Sequence, residues 1–319
     1  MGWQIRVLFC LFCHSVQSPF CINNTFLTTL HLKIEEMEDK ICIVTGGTAG
    51  IGQVTASALA QTGARVIIVG RDPVKCKRVV NQIQLDTANH RVEFRVANLA
   101  SLVAVGKLAN DLANSLPRLD VLVNNAGAIF YKRKVSPEGI EMTWSLNHLA
   151  YMLFTERLMN PLKAAPAARI VNVSSDAHRG SRIHFDDLEY SQKYSTFGAY
   201  GQSKLANVMF TYELARRLTG TAITTNTLHP GFVASGFGKG QGWISWGVDM
   251  LSRIAGISVQ EGAQTNIFLA TSPEVAGVTG KFFYKSREKR SSSASYDTAV
   301  AQRLWEVSQH MIDKAVGQV

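Results

Sequence analysis

The chain has 319 residues, a length that accommodates one large domain or two small ones with ample material for a core. Hydrophobic residues make up 46% and charged residues 18%, an ordinary soluble globular composition. The formal charge is +9, yet no stacking-aromatic motif, zinc-finger spacing or long basic run accompanies it, which argues against nucleic acid as a partner. The densest basic stretch, Lys281 to Arg290, is broken by Tyr284, Ser286 and Glu288 and reads as surface charge that helps attract a phosphorylated anion.

Residues 1–36 differ from everything after them. They hold the apolar run Val7 to Cys13 and three of the five cysteines, Cys10, Cys13 and Cys21, with no strand or helix pattern. The run is shorter than the ~20 residues needed to span a bilayer, and it lacks the flanks of a secretion signal. Cys10 to His14 fits haem-attachment spacing and Asn23-Asn24-Thr25 a glycosylation site, both chance matches in a short leader. An N-terminal extension outside the fold is expected, with Met37 just ahead of the first strand. Cys42 and Cys76 have no paired spacing, which fits a reducing compartment. A cytoplasmic location is expected, with membrane attachment through residues 1–36 as the alternative.

From Lys40 onward strand and helix signals alternate. The apolar run Ile41 to Thr45 leads into Gly46-Gly47-Thr48-Ala49-Gly50-Ile51-Gly52 and a helix that stops at Gly63. Arg65 to Val69 is the second strand, followed by a helix for which Asp72 is a cap and Pro73 the first turn. Val92 to Val96 is the third strand, ending at Asn98-Leu99, and Val121 to Asn124 the fourth, ending at Asn125-Ala126-Gly127. A long helical stretch holds Trp144, Asn147 and Phe154, and strand Arg169 to Val173 ends at Ser174-Ser175. A polar loop leads to the Tyr200 helix, strand Ala222 to Leu228, a helix from about Val259 and strand Lys281 to Tyr284. This alternation predicts a single doubly wound α/β Rossmann-type domain, with a parallel sheet of about seven strands covered by helices on both faces. The domain is expected over 37–290, with a C-terminal helical tail over 291–319.

Two stretches carry chemistry. The glycine turn sits between the first strand and the first helix, where the backbone turns tightly and a helix N-terminus presents unpaired N–H groups to a dinucleotide pyrophosphate. Tyr200 and Lys204 are four apart on an amphipathic helix and share one face. A nearby ammonium favours ionisation of a phenol, so Tyr200 could exchange protons with a carbonyl or alcohol oxygen while a cofactor handles hydride. After Pro230-Gly231 come Phe232, Phe237, Trp243, Ile244, Trp246, Val248, Met250 and Leu251 among glycines, a composition that suits a lid over a greasy substrate around 231–258 or, equally, a helix pair packed on the core or on a membrane surface. His178, Arg179 and His184 read as loop residues outside the catalytic set, and no metal-ligand spacing is present.

The G-x-x-x-G-x-G turn, Asn124-Asn125-Ala126-Gly127, Asn147, Ser174-Ser175, Tyr200-x-x-x-Lys204 and Pro230-Gly231 together resemble the short-chain dehydrogenase/reductase family over roughly Lys40 to Tyr284. The wording of Arg169 to Gly180, His184-Phe185 and Tyr200 to Arg217 is similar to the retinol-dehydrogenase-like branch. The resemblance implies Tyr200 as acid–base residue, Lys204 lowering its pKa and binding the nicotinamide ribose, Ser175 holding the substrate oxygen, and Asn147 anchoring a water that relays protons to Lys204. Gly46, Thr48, Gly50, Ile51, Gly52, Arg71, Asn98, Leu99, Asn125, Ala126, Gly127, Pro230, Gly231 and Val233 are the expected cofactor contacts, with Asn124 bracing the sheet. Asn98 stands where relatives carry Asp, which retains an acceptor and loses the charge.

The second strand closes on Val69-Gly70-Arg71 where relatives that prefer NAD place a carboxylate. A guanidinium there pairs with a 2′-phosphate, so NADP is the expected cofactor and NAD the second choice. The expected function is therefore an NADP-dependent oxidoreductase acting on the carbonyl or alcohol of a lipophilic small molecule, retinoid-, steroid- or aldehyde-like. The alternative is a non-catalytic NADP(H) sensor, which would have no need of the complete Asn147–Ser175–Tyr200–Lys204 set. By analogy with the family, in which the helices around Asn147 and Tyr200 often form dimer interfaces, a homo-oligomer is expected.

Overall fold

The computed structural model describes residues 37–232 and 257–317. Eight strands form one sheet in the order β3-β2-β1-β4-β5-β6-β7-β8. They are β1 (Ile41–Thr45), β2 (Arg65–Gly70), β3 (Val92–Val96), β4 (Val121–Asn124), β5 (Arg169–Val173), β6 (Thr224–His229), β7 (Phe282–Tyr284) and β8 (Arg287–Lys289). All neighbours pair in parallel except β7 and β8, which form an antiparallel hairpin. The order reverses between β1 and β4, which opens a crevice at the carboxyl ends of those strands.

Side-chain alternation divides the core into two layers. Along β1, Ile41 and Ile43 join one cluster while Cys42 and Val44 join the other; along β2, Ile67 and Val69 oppose Val66 and Ile68 in the same way. Both faces are apolar, as a parallel sheet sandwiched between helices requires. Helices α1 (Gly50–Gln61), α2 (Pro73–Thr87) and α7 (Val259–Thr271) cover one face. The other face carries α3 (Leu102–Ser115), α4 (142–157), α6 (Thr196–Arg217) and α8 (Thr298–Val316), with short α5 (Met159–Ala164) beside them.

Helix α4 is composite. It starts as Met142–Trp144, widens into a π turn over Ser145–Leu149, and resumes as Ala150–Arg157. The expected long helix around Asn147 is thus present, with one wider turn at the position where a functional role is expected.

Polar side chains bridge the middle of the sheet. Asn124 Nδ2 donates to Asn172 Oδ1 (2.9 Å) and Thr155 Oγ1 (2.9 Å), while Asn172 Nδ2 reaches Thr211 (3.1 Å) and Thr225 (3.3 Å). β4, β5, β6, α4 and α6 are thereby fixed relative to one another by buried hydrogen bonds, the bracing expected of Asn124.

Two features add detail to the sequence reading. The basic stretch after Tyr284 contains an eighth strand, β8, with all three residues exposed. The segment after residue 290 contains the expected C-terminal helix, α8, which buries Ala301, Leu304, Ser308, Ile312 and Ala315 in a stripe of helical period and packs on α3 and α6. Trp305 stacks on Phe210 at 5.6 Å and carries the Arg217 guanidinium over its ring at 4.2 Å. Part of the outer surface of the α4–α6 layer is thus covered by the chain's own C-terminal helix. Among the described residues no helix is long and apolar enough to cross a membrane.

Leu304 is 1% exposed within this layer. Leu304→Ala is expected to lower unfolding free energy by about 2–5 kcal/mol, measured by urea denaturation, because α8 cannot fully collapse onto the cavity.

Candidate active site

The glycine turn is built around close backbone approach. Gly46 and Gly50 have φ of 67° and 54°, and a Cβ on Gly52 would lie 2.4 Å from the Gly46 carbonyl oxygen. Thr45 ties the turn to the end of β4. Its hydroxyl accepts from the Asn125 (2.9 Å) and Ala126 (3.0 Å) amides, and its carbonyl accepts from Asn125 Nδ2 (2.9 Å). The Asn125 side chain is therefore committed to holding two loops together.

Helix α1 begins at this turn with Ala49 as N-cap and no side-chain acceptor. Each of the other described helices of eight or more residues has a capping side chain: Asp72, Ser101, Glu141, Ser195, Ser258 or Asp297. The first-turn amides of α1 thus face the crevice unclaimed by a cap, as anion binding at a helix N-terminus requires.

At the end of β2 the space is tighter than glycine alone suggests. A Cβ at position 70 would lie 2.6 Å from Thr48 Cγ2 and 2.7 Å from Cys76 Sγ. Gly70 is dictated by packing, and the position cannot hold a carboxylate without rearrangement. Asp72 is spent on α2, accepting from Val74 N (2.9 Å) and Lys75 N (3.0 Å). Arg71 is exposed beside them. Asn98 is exposed and its Oδ1 accepts from Ala100 N (3.2 Å), and Leu99 is buried next to it.

The Asn147 side chain is fully buried and completely engaged. Its Oδ1 accepts from Ala128 N (2.9 Å), and its Nδ2 donates to Ala128 O (3.0 Å) and Ser203 Oγ (3.1 Å). A Cβ on Gly127 would stand 3.2 Å from Asn147 Oδ1 and 3.5 Å from Lys204 Nζ. Gly127 therefore lets the loop after β4 lie between the π turn and α6.

The serine pair divides its work. Ser174 Oγ is buried and donates to the Lys204 carbonyl (2.7 Å), whereas Ser175 stays part-exposed and hydrogen-bonds Tyr200. Lys204 Nζ donates to Val173 O (3.1 Å) and lies 5.6 Å from the Tyr200 ring centroid, so both side chains point to the same place. Burial governs both titrations. It pushes the Tyr200 phenol up to about 12, opposed by the Ser175 hydrogen bond, and pulls Lys204 down to about 7. The expected lowering of the phenol by the ammonium is not among the influences on Tyr200, whose direction is set by the cost of burying a phenolate.

Pro230 and Gly231 follow β6. Gly231 has φ of 96°, and a Cβ there would meet Ile257 Cδ1 at 2.4 Å. Val233 and the aromatic residues expected to form a lid lie outside the described residues, apart from Phe232, which is 50% exposed. Phe197, one turn before Tyr200, is 63% exposed.

Three contributors have no assigned role in the sequence reading: Thr45, Ser203 and His178. Thr45 and Ser203 lie inside recognised motifs but reveal their partners only in three dimensions. His178, read as a loop residue, is fully buried.

The glycine turn at an uncapped helix start, the crowded glycine before an exposed arginine, and the serine beside the tyrosine–lysine pair all follow the carboxyl ends of strands in the one parallel sheet. The chain belongs to the short-chain dehydrogenase family, whose model matches residues 40–242, and to its retinol-dehydrogenase-like branch. It is similar to human retinol dehydrogenase 13, 38% identical over 279 residues that cover 86% of this chain and 84% of the relative. Human polyprenol dehydrogenase is 37% identical over 283 residues, covering 86% and 85%. Among solved structures, the Pseudomonas aeruginosa RhlG/NADP active-site complex superposes with a TM-score of 0.62 at 29% identity, covering 78% of this chain and 95% of the other. A short chain dehydrogenase from Burkholderia cenocepacia in complex with NADP gives 0.62 at 26% identity, covering 78% and 97%.

Thr45→Val leaves the Asn125 and Ala126 amides without their acceptor. A loss of about 1–3 kcal/mol is expected for each amide left unsatisfied, measured as a lowered urea midpoint against wild type.

Proposed function

We propose that the protein is an NADP-dependent oxidoreductase interconverting the carbonyl and alcohol of a lipophilic substrate, with Tyr200 as the acid–base residue. The observation that carries this reading is the convergence of Tyr200, Ser175 and Lys204 on one point beside the glycine turn. Bound NADP(H) supplies or accepts the hydride.

The chain's own residues do the rest. The α1 amides and glycine turn suit the pyrophosphate, and Arg71 suits a 2′-phosphate at a position where crowding at Gly70 excludes a competing carboxylate. Lys204 binds the nicotinamide ribose, and the loop from Asn125 to Gly127 borders it. Ser175 holds the substrate oxygen against Tyr200. Burial keeps the Tyr200 phenol protonated at neutral pH, the form that gives its proton to a carbonyl oxygen; taking one from an alcohol requires the phenolate. Asn147 fixes the Gly127–Ala128 loop and Ser203, keeping the Lys204 surroundings rigid and the proton path next to the π turn.

The lipophilic character of the substrate is supported by exposed Phe197 and Phe232 near the Tyr200 end of the sheet, and by relatives named for retinol and polyprenol. A homo-oligomer built through α4 and α6 would have to form around or displace α8.

Two measurements test the reading. Following NADPH absorbance with long-chain aldehydes and ketones, Tyr200→Phe is expected to lower kcat by about 10²–10⁴-fold while NADPH affinity is retained. A Tyr200→Phe variant that turns over at the wild-type rate refutes the assignment. Arg71→Ala is expected to raise the KM for NADPH by about 10–100-fold, the loss of a charged hydrogen bond, and to leave the KM for NADH nearly unchanged. Equal effects on both would remove Arg71 from the 2′-phosphate.

A further inference from the structure

Immediately after Ser175 the chain makes a 3₁₀ turn over Asp176–His178, and the last residue of that turn is fully buried. His178 Nδ1 lies 2.6 Å from the Ser175 carbonyl oxygen. On the other side of the ring, the backbone N–H of Ser292 donates to His178 Nε2 at 3.0 Å. A backbone N–H can only donate, so Nε2 must carry the lone pair and Nδ1 must carry the proton. The neutral Nδ1–H tautomer is the one form of histidine that makes both bonds. The ring also packs on Phe282 of β7 at 5.0 Å.

The two ends of this strut are attached to different parts of the site. The 176–181 turn is pressed on the start of α6, where Ser181 Oγ bonds the Ala177 carbonyl (2.9 Å) and a Cβ on Gly201 would come within 2.8 Å of the same oxygen. The Ser292 end is anchored further along that helix, through Ser291 Oγ to Tyr212 OH (2.8 Å) and to Ser295 Oγ (2.6 Å). The backbone of Ser175 is therefore referenced to α6, the helix that carries Tyr200, by a route separate from strand β5.

We propose that His178 is a positioning residue for the reaction: its Nδ1–H bond to the Ser175 carbonyl sets where the Ser175 hydroxyl meets Tyr200. The inference rests on the reading of Ser175 and Tyr200 above. It requires no proton transfer by His178, which acts through the backbone of Ser175 and touches neither substrate nor cofactor. A satisfied core histidine would account for the same burial, but it would contribute to stability independently of Ser175. The difference is measurable, because a group acting through Ser175 loses its effect when the Ser175 hydroxyl is gone.

The test is a double-mutant cycle on the full chain. His178→Phe keeps an aromatic ring, though a larger one, and removes both side-chain hydrogen bonds, and it is expected to lower kcat by about 10–100-fold, the cost of a misplaced contact. KM for the carbonyl substrate and the NADPH dissociation constant from fluorescence titration are expected to stay near wild type. His178→Asn places an amide N–H close to the position of Nδ1–H and is expected to recover most of the lost kcat, even though the Ser292 bond is lost. In the Ser175→Ala background, His178→Phe is expected to cause no further loss.

If His178→Phe slows Ser175→Ala by the same factor as it slows wild type, the inference is overturned and the site reading survives. The inference is equally overturned if kcat is unchanged in His178→Phe, or if His178→Asn is as slow as His178→Phe. If Ser175→Ala itself turns over normally, the site reading fails and this inference fails with it. Should His178→Phe not fold, His178→Leu, which also lacks both side-chain hydrogen bonds, provides the same comparison in the two backgrounds.

Discussion

The site depends on a reciprocal clamp between a helix and the end of a strand. Lys204 donates its ammonium to the Val173 carbonyl, and the Lys204 carbonyl receives the Ser174 hydroxyl. Each bond is buried, so each is made without competition from water. Because Tyr200 lies one turn before Lys204 on α6, docking the lysine also docks the phenol beside Ser175, the next residue after the clamp. The cost is a lysine held in surroundings that disfavour its charge, and burial accordingly brings it to about 7. Such a group is poised to change protonation with small changes around it, which a surface lysine is not.

The framework around that clamp was largely legible in the amino-acid order. Parallel strands covered on both faces must be apolar runs, and Ile41 to Thr45, Val121 to Asn124 and Arg169 to Val173 could hardly be anything else. Capping signals carried equal information, with Asp72 before Pro73 marking the start of α2. The antiparallel β8 was hidden because Arg287-Glu288-Lys289 has no apolar alternation; it exists because β7 offers a free edge, and its charges suit an exposed one. The π turn in α4 was equally hidden. Its helical period is preserved on either side, and the extra residue is accommodated where Asn147 bonds both backbone groups of Ala128 and where Trp144 packs on His148.

Side-chain roles divided by the range of the contacts behind them. Tyr200 and Lys204 could be paired because helical spacing is local. The reading of Ser175 came with the family resemblance, and the structure puts its neighbour Ser174 on a helix carbonyl. His178 was unreadable: its burial is created by Phe282 and by Ser292, which is 114 residues away, and nothing in the local sequence distinguishes it from a solvated loop histidine. Asn147 was recognisable only through its resemblance to a family, since a buried amide has no pattern of its own. Similarly, the apolar stripe of α8 announces a helix seeking a partner without saying whether that partner is the same chain.

The crowding at Gly70 has a consequence for the side chains that the end of β2 can carry. A single replacement of Gly70 by Asp or Glu would force the new side chain against the Thr48 methyl and the Cys76 sulfur. Room would first have to be made at both neighbours, one in the phosphate turn and one in α2. Placing a carboxylate at position 70 therefore requires accommodation at three positions at once.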